Sequence, residues 1–247
     1  MRNIKLTIEY DGSHLNGWQE QPGKTRTVQG LIRNALKKII DENVVLIGSG
    51  RTDSGVHARG QVAHFKMQSR LSAKTIANAL NAHLPDDIAI IDAVDVDLKF
   101  HAQYSVRSKV YRYSILNRPS RTALNPLYFW HYPHPINVSR MKREARYFLG
   151  KQDFKSFQAT DKARASKSSV RYLKRITIVK KGDIITIDLE ADGFLYKMVR
   201  NIVGSLVEVA SGKRPEGSLK KILKIKDRKE AGFTAPASGL TLWAVNY

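Results

Sequence analysis

Apolar and polar residues alternate at the start of the chain. Ile4, Leu6, Ile8 and Tyr10 fall on one side and Lys5, Thr7 and Glu9 on the other, a period of two that predicts a half-buried strand. The period then lengthens. In VQGLIRNALKKII, residues 28–40, Val28, Leu31, Ile32, Ala35, Leu36, Ile39 and Ile40 recur at helical spacing and line one stripe. VVLIG (44–48) reads as a short buried strand and QVAHFKM (61–67) as another. A second helix is predicted to open at Ser72, whose hydroxyl suits an N-cap. It carries Ile76, Ala77, Leu80 and Leu84 inward and stops at Pro85. IAIIDAVDV (88–96) is a strand.

The second half follows the same logic. KVYRYSIL (109–116) is a strand with Tyr111, Tyr113 and Ile115 on one face. SRMKREARYFLG (139–150) reads as a helix ended by Gly150, and YLKRITIVKKGDIITIDLEA (172–191) as a hairpin turning at Lys181-Gly182. LYKMVRNIVGSLVEV (195–209) is a helix burying Leu195, Met198, Val199, Ile202, Val203 and Leu206. SLKKILKI (218–225) is a short helix and LTLWAVNY (240–247) a closing strand. Helices and strands alternate without strict βαβ regularity, which predicts an α+β fold with a mostly antiparallel sheet. Residues 117–137 hold four of the eight prolines and read either as a connection between two halves or as a peripheral loop.

Charge changes the picture more than composition does. A formal +20 on 247 residues, with a pI near 10.1, calls for a polyanionic partner, nucleic acid first. Residues 162–181 hold eight Lys or Arg and no acid, and LKKILKIKDRK (219–229) adds more. Such runs serve equally as solvated faces or as phosphate contacts. Aromatics interleave with them in KVYRYS, RYLKR and GFLYKMVR, a pattern suited to base stacking as well as to an ordinary core. No cysteine is present, so there is no disulfide, thiol nucleophile or Cys-based zinc site. No run of about 18 apolar residues spans a membrane. The first residues read as a strand rather than a signal peptide, which fits a cytoplasmic protein.

Against that basic background, GSGRTDSGVHARG (48–60) places one carboxylate, Asp53, among Gly48, Gly50 and Gly55 and two residues after Arg51. A carboxylate there can act as base or nucleophile, kept ionised by Arg51. The same spacing fits a plain Asx-turn. Other chemistries fit poorly. The loop lacks the lysine of a phosphate-binding loop and has Asp53 where a dinucleotide fingerprint needs glycine. His57 and His64 are seven apart, which on one strand argues against a shared metal. Arg200, at the edge of its helix's apolar stripe and on the side of Tyr196 and Gly204, either snorkels to solvent or reaches into a cleft.

These stretches together resemble the tRNA pseudouridine synthase A family over essentially the whole chain. GSGRTDSGVHARGQVAHF is similar to its signature. IEYDGSHLNGWQEQ, NAHLPDDIAI, FHAQYSVRSKVYRYSI, DGFLYKMVRNIVGSLVEVASG and TAPASGLTLW are similar to its other motifs, in the family's order. The resemblance implies an isomerase that converts uridine to its C-glycoside at positions 38, 39 and 40 of the tRNA anticodon stem-loop. No cofactor, metal or nucleotide is implied. It implies Asp53 as the catalytic carboxylate, Arg51 and Arg200 as the arginines that hold its charge and position, and Tyr111 as the tyrosine that stacks on the target base. It implies two ferredoxin-like α+β halves with their sheets joined and a central cleft. Here these would be residues 1–104 with the R-T-D loop and 105–247 with the Y-R-Y strand and the Arg200 helix. A homodimer sharing one tRNA is expected as well. The chain departs from the family's usual residues at Leu15, Gln103 and Gln152, with consequences for packing or tRNA contacts. The alternative is a non-catalytic, basic RNA-binding protein of the same fold.

Overall fold

The computed structural model describes residues 1–23, 25–160 and 168–247. Residues 162–167, the start of one basic stretch, lie outside the described residues. The chain divides into two units, residues 1–107 with 241–247, and residues 108–240. The proline-rich stretch 117–137 falls wholly inside the second.

The first unit opens with β1 (Arg2–Tyr10), in which Ile4, Leu6, Ile8 and Tyr10 are buried as the alternation requires. Helix α1 (Val28–Ile40) takes the predicted bounds and buries Val28, Ile32, Ala35 and Leu36. The expected strand at 44–48 shrinks to β2 (Ile47–Gly48), and Val45 is 73% exposed. An apolar run alone does not supply a partner for every residue in it, and only Ile47 and Gly48 find one, on β3 (His57–Met67). Helix α2 (Ala73–His83) is capped as predicted, the Ser72 hydroxyl accepting the Thr75 N–H at 3.0 Å. Then comes β4 (Ile88–Val96). The order is β4-β1-β3, with β2 also on β3. Both β1–β3 and β1–β4 pairings are antiparallel, and the first shifts register between Ile8 and Tyr10. His57 and His64 are both buried, in a strand whose residues 61–65 are buried on both faces.

The second unit begins at β5 (Ser108–Leu116) and carries the two-residue β6 (Trp130–His131) beside it. Helix α3 (Val138–Ala145) ends earlier than the pattern predicts, tightening into a 3-10 turn at Arg146–Phe148. That turn seats Phe148 against Phe157 and Phe154, at 5.0 and 6.3 Å between ring centres. Gly150, with φ +86°, starts β7 (Gly150–Asp153) rather than ending a helix. β8 (Val170–Lys181) and β9 (Ile184–Ala191) form the predicted hairpin around Gly182. Helix α4 begins three residues later than expected, at Met198–Ala210, so Tyr196 lies outside it and does not share a helical side with Arg200. Helix α5 (Ser218–Ile225) keeps its predicted bounds. Within this unit the order is β5-β9-β8-β7, antiparallel throughout. The last strand, β10 (Leu240–Asn246), returns to the first unit and pairs in parallel with β3, Thr241 opposite His57. The fold is α+β with a mainly antiparallel arrangement, as the patterning predicts.

Candidate active site

Asp53 sits in the loop 49–56 that joins β2 to β3. It is half-buried, and its turn is closed by main chain, the Val56 N–H donating to the Asp53 carbonyl at 3.2 Å. Both of its neighbours are tied to one segment, residues 15–18. The Trp18 N–H donates to the Thr52 carbonyl at 3.2 Å. The Ser54 hydroxyl and the Gly55 N–H donate to the Leu15 carbonyl at 3.2 and 3.3 Å. The carboxylate therefore rises from a backbone held on both sides.

The supports lie in parts of the sequence whose chemistry is silent. Gly17 has φ +81°, and a methyl group there would come within 2.5 Å of the Thr52 carbonyl oxygen. Only glycine permits both the turn and the contact. The Tyr10 hydroxyl meets the Thr52 hydroxyl at 2.8 Å. Burial pushes the Tyr10 phenol up to about 12, against smaller opposing effects of Thr52 and Gln61, so it stays neutral. Fully buried Gln61 donates to the Gly50 carbonyl at 3.0 Å and accepts from the Ser49 hydroxyl at 2.7 Å and the Val62 N–H at 3.1 Å. Residue-type reasoning missed Tyr10, Gly17 and Gln61. The signal that reached them was the likeness of IEYDGSHLNGWQEQ and GSGRTDSGVHARGQVAHF to the family's motifs, which named no role for them.

Arg51 is exposed on the same loop, two residues before Asp53. Leu15, one of the departures from the family pattern, is buried and touches the loop through its carbonyl. Gln103 is exposed, and Gln152 donates to the Leu149 carbonyl at 3.2 Å.

Tyr111 and Arg200 belong to the second unit. Tyr111 is buried on β5, opposite Leu189 of β9, with its ring edge-on to Phe194 at 5.0 Å. Arg112, facing the other way, forms a two-pronged ion pair with Asp188 at 2.7 and 2.8 Å. Tyr113 shares the side of Tyr111 but is wholly enclosed, its hydroxyl donating to the Pro236 carbonyl at 2.8 Å. Burial raises the Tyr113 phenol well above its ordinary value, and the nearby Arg200 charge pulls the other way. Arg200 lies in the first turn of α4. Its Nε donates to the Ala235 carbonyl at 2.7 Å, and the Ala235 N–H donates back to the Arg200 carbonyl at 3.1 Å. That strap, residues 233–236, runs so close to α4 that a methyl group on Gly204 would overlap the Phe233 carbonyl. The strap thus holds Arg200 at both its backbone and its side chain.

Residues 6–105 and 145–247 match a family model described as tRNA pseudouridine synthase. A tRNA pseudouridine synthase A of Thermoanaerobacter sp. (strain X514) is 45% identical over 247 residues, covering 100% of both chains. The tRNA pseudouridine synthase A 2 of Clostridium perfringens is 47% identical, and the tRNA pseudouridine synthase A of Caldicellulosiruptor bescii 46%, each again over 100% of both chains.

Proposed function

The chain belongs to the tRNA pseudouridine synthase family, and on that premise we propose that it isomerises uridine to pseudouridine in tRNA, with Asp53 as the catalytic carboxylate. The observation that carries the assignment is the tethering of Thr52 and Ser54, the two neighbours of Asp53, to residues 15–18. A reacting carboxylate must be held before substrate arrives, because orientation is a large part of its effect.

The isomerisation breaks the bond from N1 of uracil to C1′ of the ribose, turns the base, and joins C5 to C1′. N1 gains a proton and C5 loses one, so atoms balance without a cofactor. An ionised carboxylate serves each of three routes: attack at C1′, addition to C6, or removal of a ribose proton to give a glycal. Arg200, held by the Ala235 carbonyl, is the arginine whose positive charge this reading assigns to the reaction. Arg51, exposed on the loop that carries Asp53, is the second arginine of this reading. Tyr111 offers its ring to the target base, which must leave the RNA stack to react. The expected targets are uridines 38, 39 and 40 of the anticodon stem-loop, in a cytoplasmic homodimer whose two copies share one tRNA. A single monomeric species by sedimentation would remove the dimer.

The deciding experiment is tritium release from tRNA transcripts labelled at C5 of uridine. C5 loses its hydrogen only when it bonds to the ribose. Wild type should release label, and Asp53→Asn should release at least about 10⁴-fold less while binding tRNA normally. No release by wild type would leave a basic RNA-binding protein with a structural acid at residue 53.

A further inference from the structure

We propose that Tyr104 is a preformed stacking platform for an unpaired base of the RNA, held outward by a column of rings that starts in the core of the first unit. This rests on tRNA being the substrate. The column has three members. His64, on β3, is 4% exposed, and its Nδ1 accepts the Ala102 N–H at 3.1 Å. The ring of half-buried His101 lies 4.9 Å beyond it, and the Tyr104 ring stacks on His101 at 4.2 Å with 27° between planes. Phe100 braces the base of the column, edge-on to His64 at 5.9 Å and 4.9 Å from Tyr247.

The middle ring is locked. His101 Nδ1 accepts the N–H groups of Gln103 and Tyr104 at 3.2 and 3.3 Å. The His101 N–H donates to the Ser105 hydroxyl at 3.1 Å, and the Ser105 N–H returns to the His101 carbonyl at 2.9 Å. The loop is therefore closed around its own imidazole, and the tyrosine has one face covered and its position set. Yet Tyr104 is 79% exposed. A surface tyrosine left free would lose rotamer freedom on binding, whereas this one has already lost it. What suits it is a flat, apolar-faced ligand. The charge around it says which kind. Residues 97–107 contain two exposed cations, Lys99 and Arg107, and one acid, Asp97, which accepts the Lys99 N–H at 2.7 Å. Cations flanking an open aromatic face are the means by which proteins hold unpaired nucleotides, phosphate on the cation and base on the ring.

The test compares wild type, Tyr104→Phe and Tyr104→Ala for affinity towards an unmodified tRNA transcript by filter binding. Melting temperature and tritium-release kinetics are followed alongside. Tyr104→Phe should bind within about twofold of wild type, because the ring face is kept. Tyr104→Ala should bind roughly five- to one-hundredfold more weakly, with KM raised, kcat at saturation kept and melting unchanged. Equal binding by wild type and Tyr104→Ala would overturn the platform. So would a Phe variant as weak as the Ala variant, or a change confined to oligomeric state. A wild type that binds no tRNA would remove the parent reading, and this one with it.

Discussion

At residue scale, three side chains make separable predictions. Arg51 and Arg200 differ in setting: one is exposed on the Asp53 loop, the other is fixed by Ala235. If both stabilise charge during reaction, alanine at either should lower turnover by about 10²-fold, more than it weakens tRNA binding. Single-turnover rates set against filter-binding affinities will show this, and equal losses would make them mere phosphate contacts. His64 carries a third prediction, on stability. Burial lowers its imidazole to about 4, helped by the nearby charges of His101 and Lys66. The unfolded chain takes up that proton near 6.5, so the folded state is favoured above pH 6.5 and loses this contribution as pH falls towards 4. His64→Gln, which does not titrate, should start less stable at pH 7 and lose less between pH 7 and pH 4.5. Denaturant midpoints at the two pH values measure it, and parallel losses in both proteins would refute it.

At the scale of elements, helix α4 and the strap after α5 act together. The strap crosses α4 where Gly204 leaves room for the Phe233 carbonyl, and Asn201 and Arg228 secure the next residues. Asn201 Oδ1 accepts the Thr234 hydroxyl at 2.7 Å and an Arg228 N–H at 3.0 Å. The Ala235 carbonyl is then presented to Arg200. Gly204→Ala should push the strap off the helix, costing about 1–3 kcal/mol of stability. It should also lower turnover through Arg200 while leaving tRNA affinity near wild type. Urea denaturation and tritium release on one sample check both halves, and a variant of normal stability and rate would show that the strap has slack. The loop 49–56 and the segment 15–18 form a comparable pair in the first unit, with Gly17 as the point of contact.

For the whole molecule, charge is the governing quantity. A net +20 favours a polyanion at any orientation, so binding strength and chemical specificity have different sources. Affinity for tRNA should fall at least roughly tenfold between 50 and 200 mM salt, linearly on logarithmic axes. Asp53→Asn should give the same slope as wild type, because a catalytic carboxylate is no phosphate contact. A salt-insensitive affinity would mean that the basic surface is idle. The chain's path matters at this scale too. The C-terminal strand β10 leaves the second unit and pairs with β3 beside His57, so a truncation before residue 240 should damage the unit that carries Asp53.

The sequence by itself determined what depends on neighbours along the chain. Periodicity placed α1, α5 and β4 to the residue, and Ser72 marked the start of α2, because repeating side-chain patterns and caps are local. The motifs around Asp53, Tyr111 and Arg200 were legible as a family likeness for the same reason. Tertiary structure decided the rest. The short strands β6 and β7 exist only where a partner strand offers hydrogen bonds, with nothing periodic to announce them, and the strand predicted at 44–48 keeps only the two residues that pair with β3. The late start of α4 follows from Lys197 taking a left-handed turn, with φ +56°, which no pattern encodes. The Tyr10–Thr52 and Arg200–Ala235 bonds join residues 42 and 35 positions apart. Contacts at such separations leave no spacing to read, since their geometry is set by folding rather than by order along the chain.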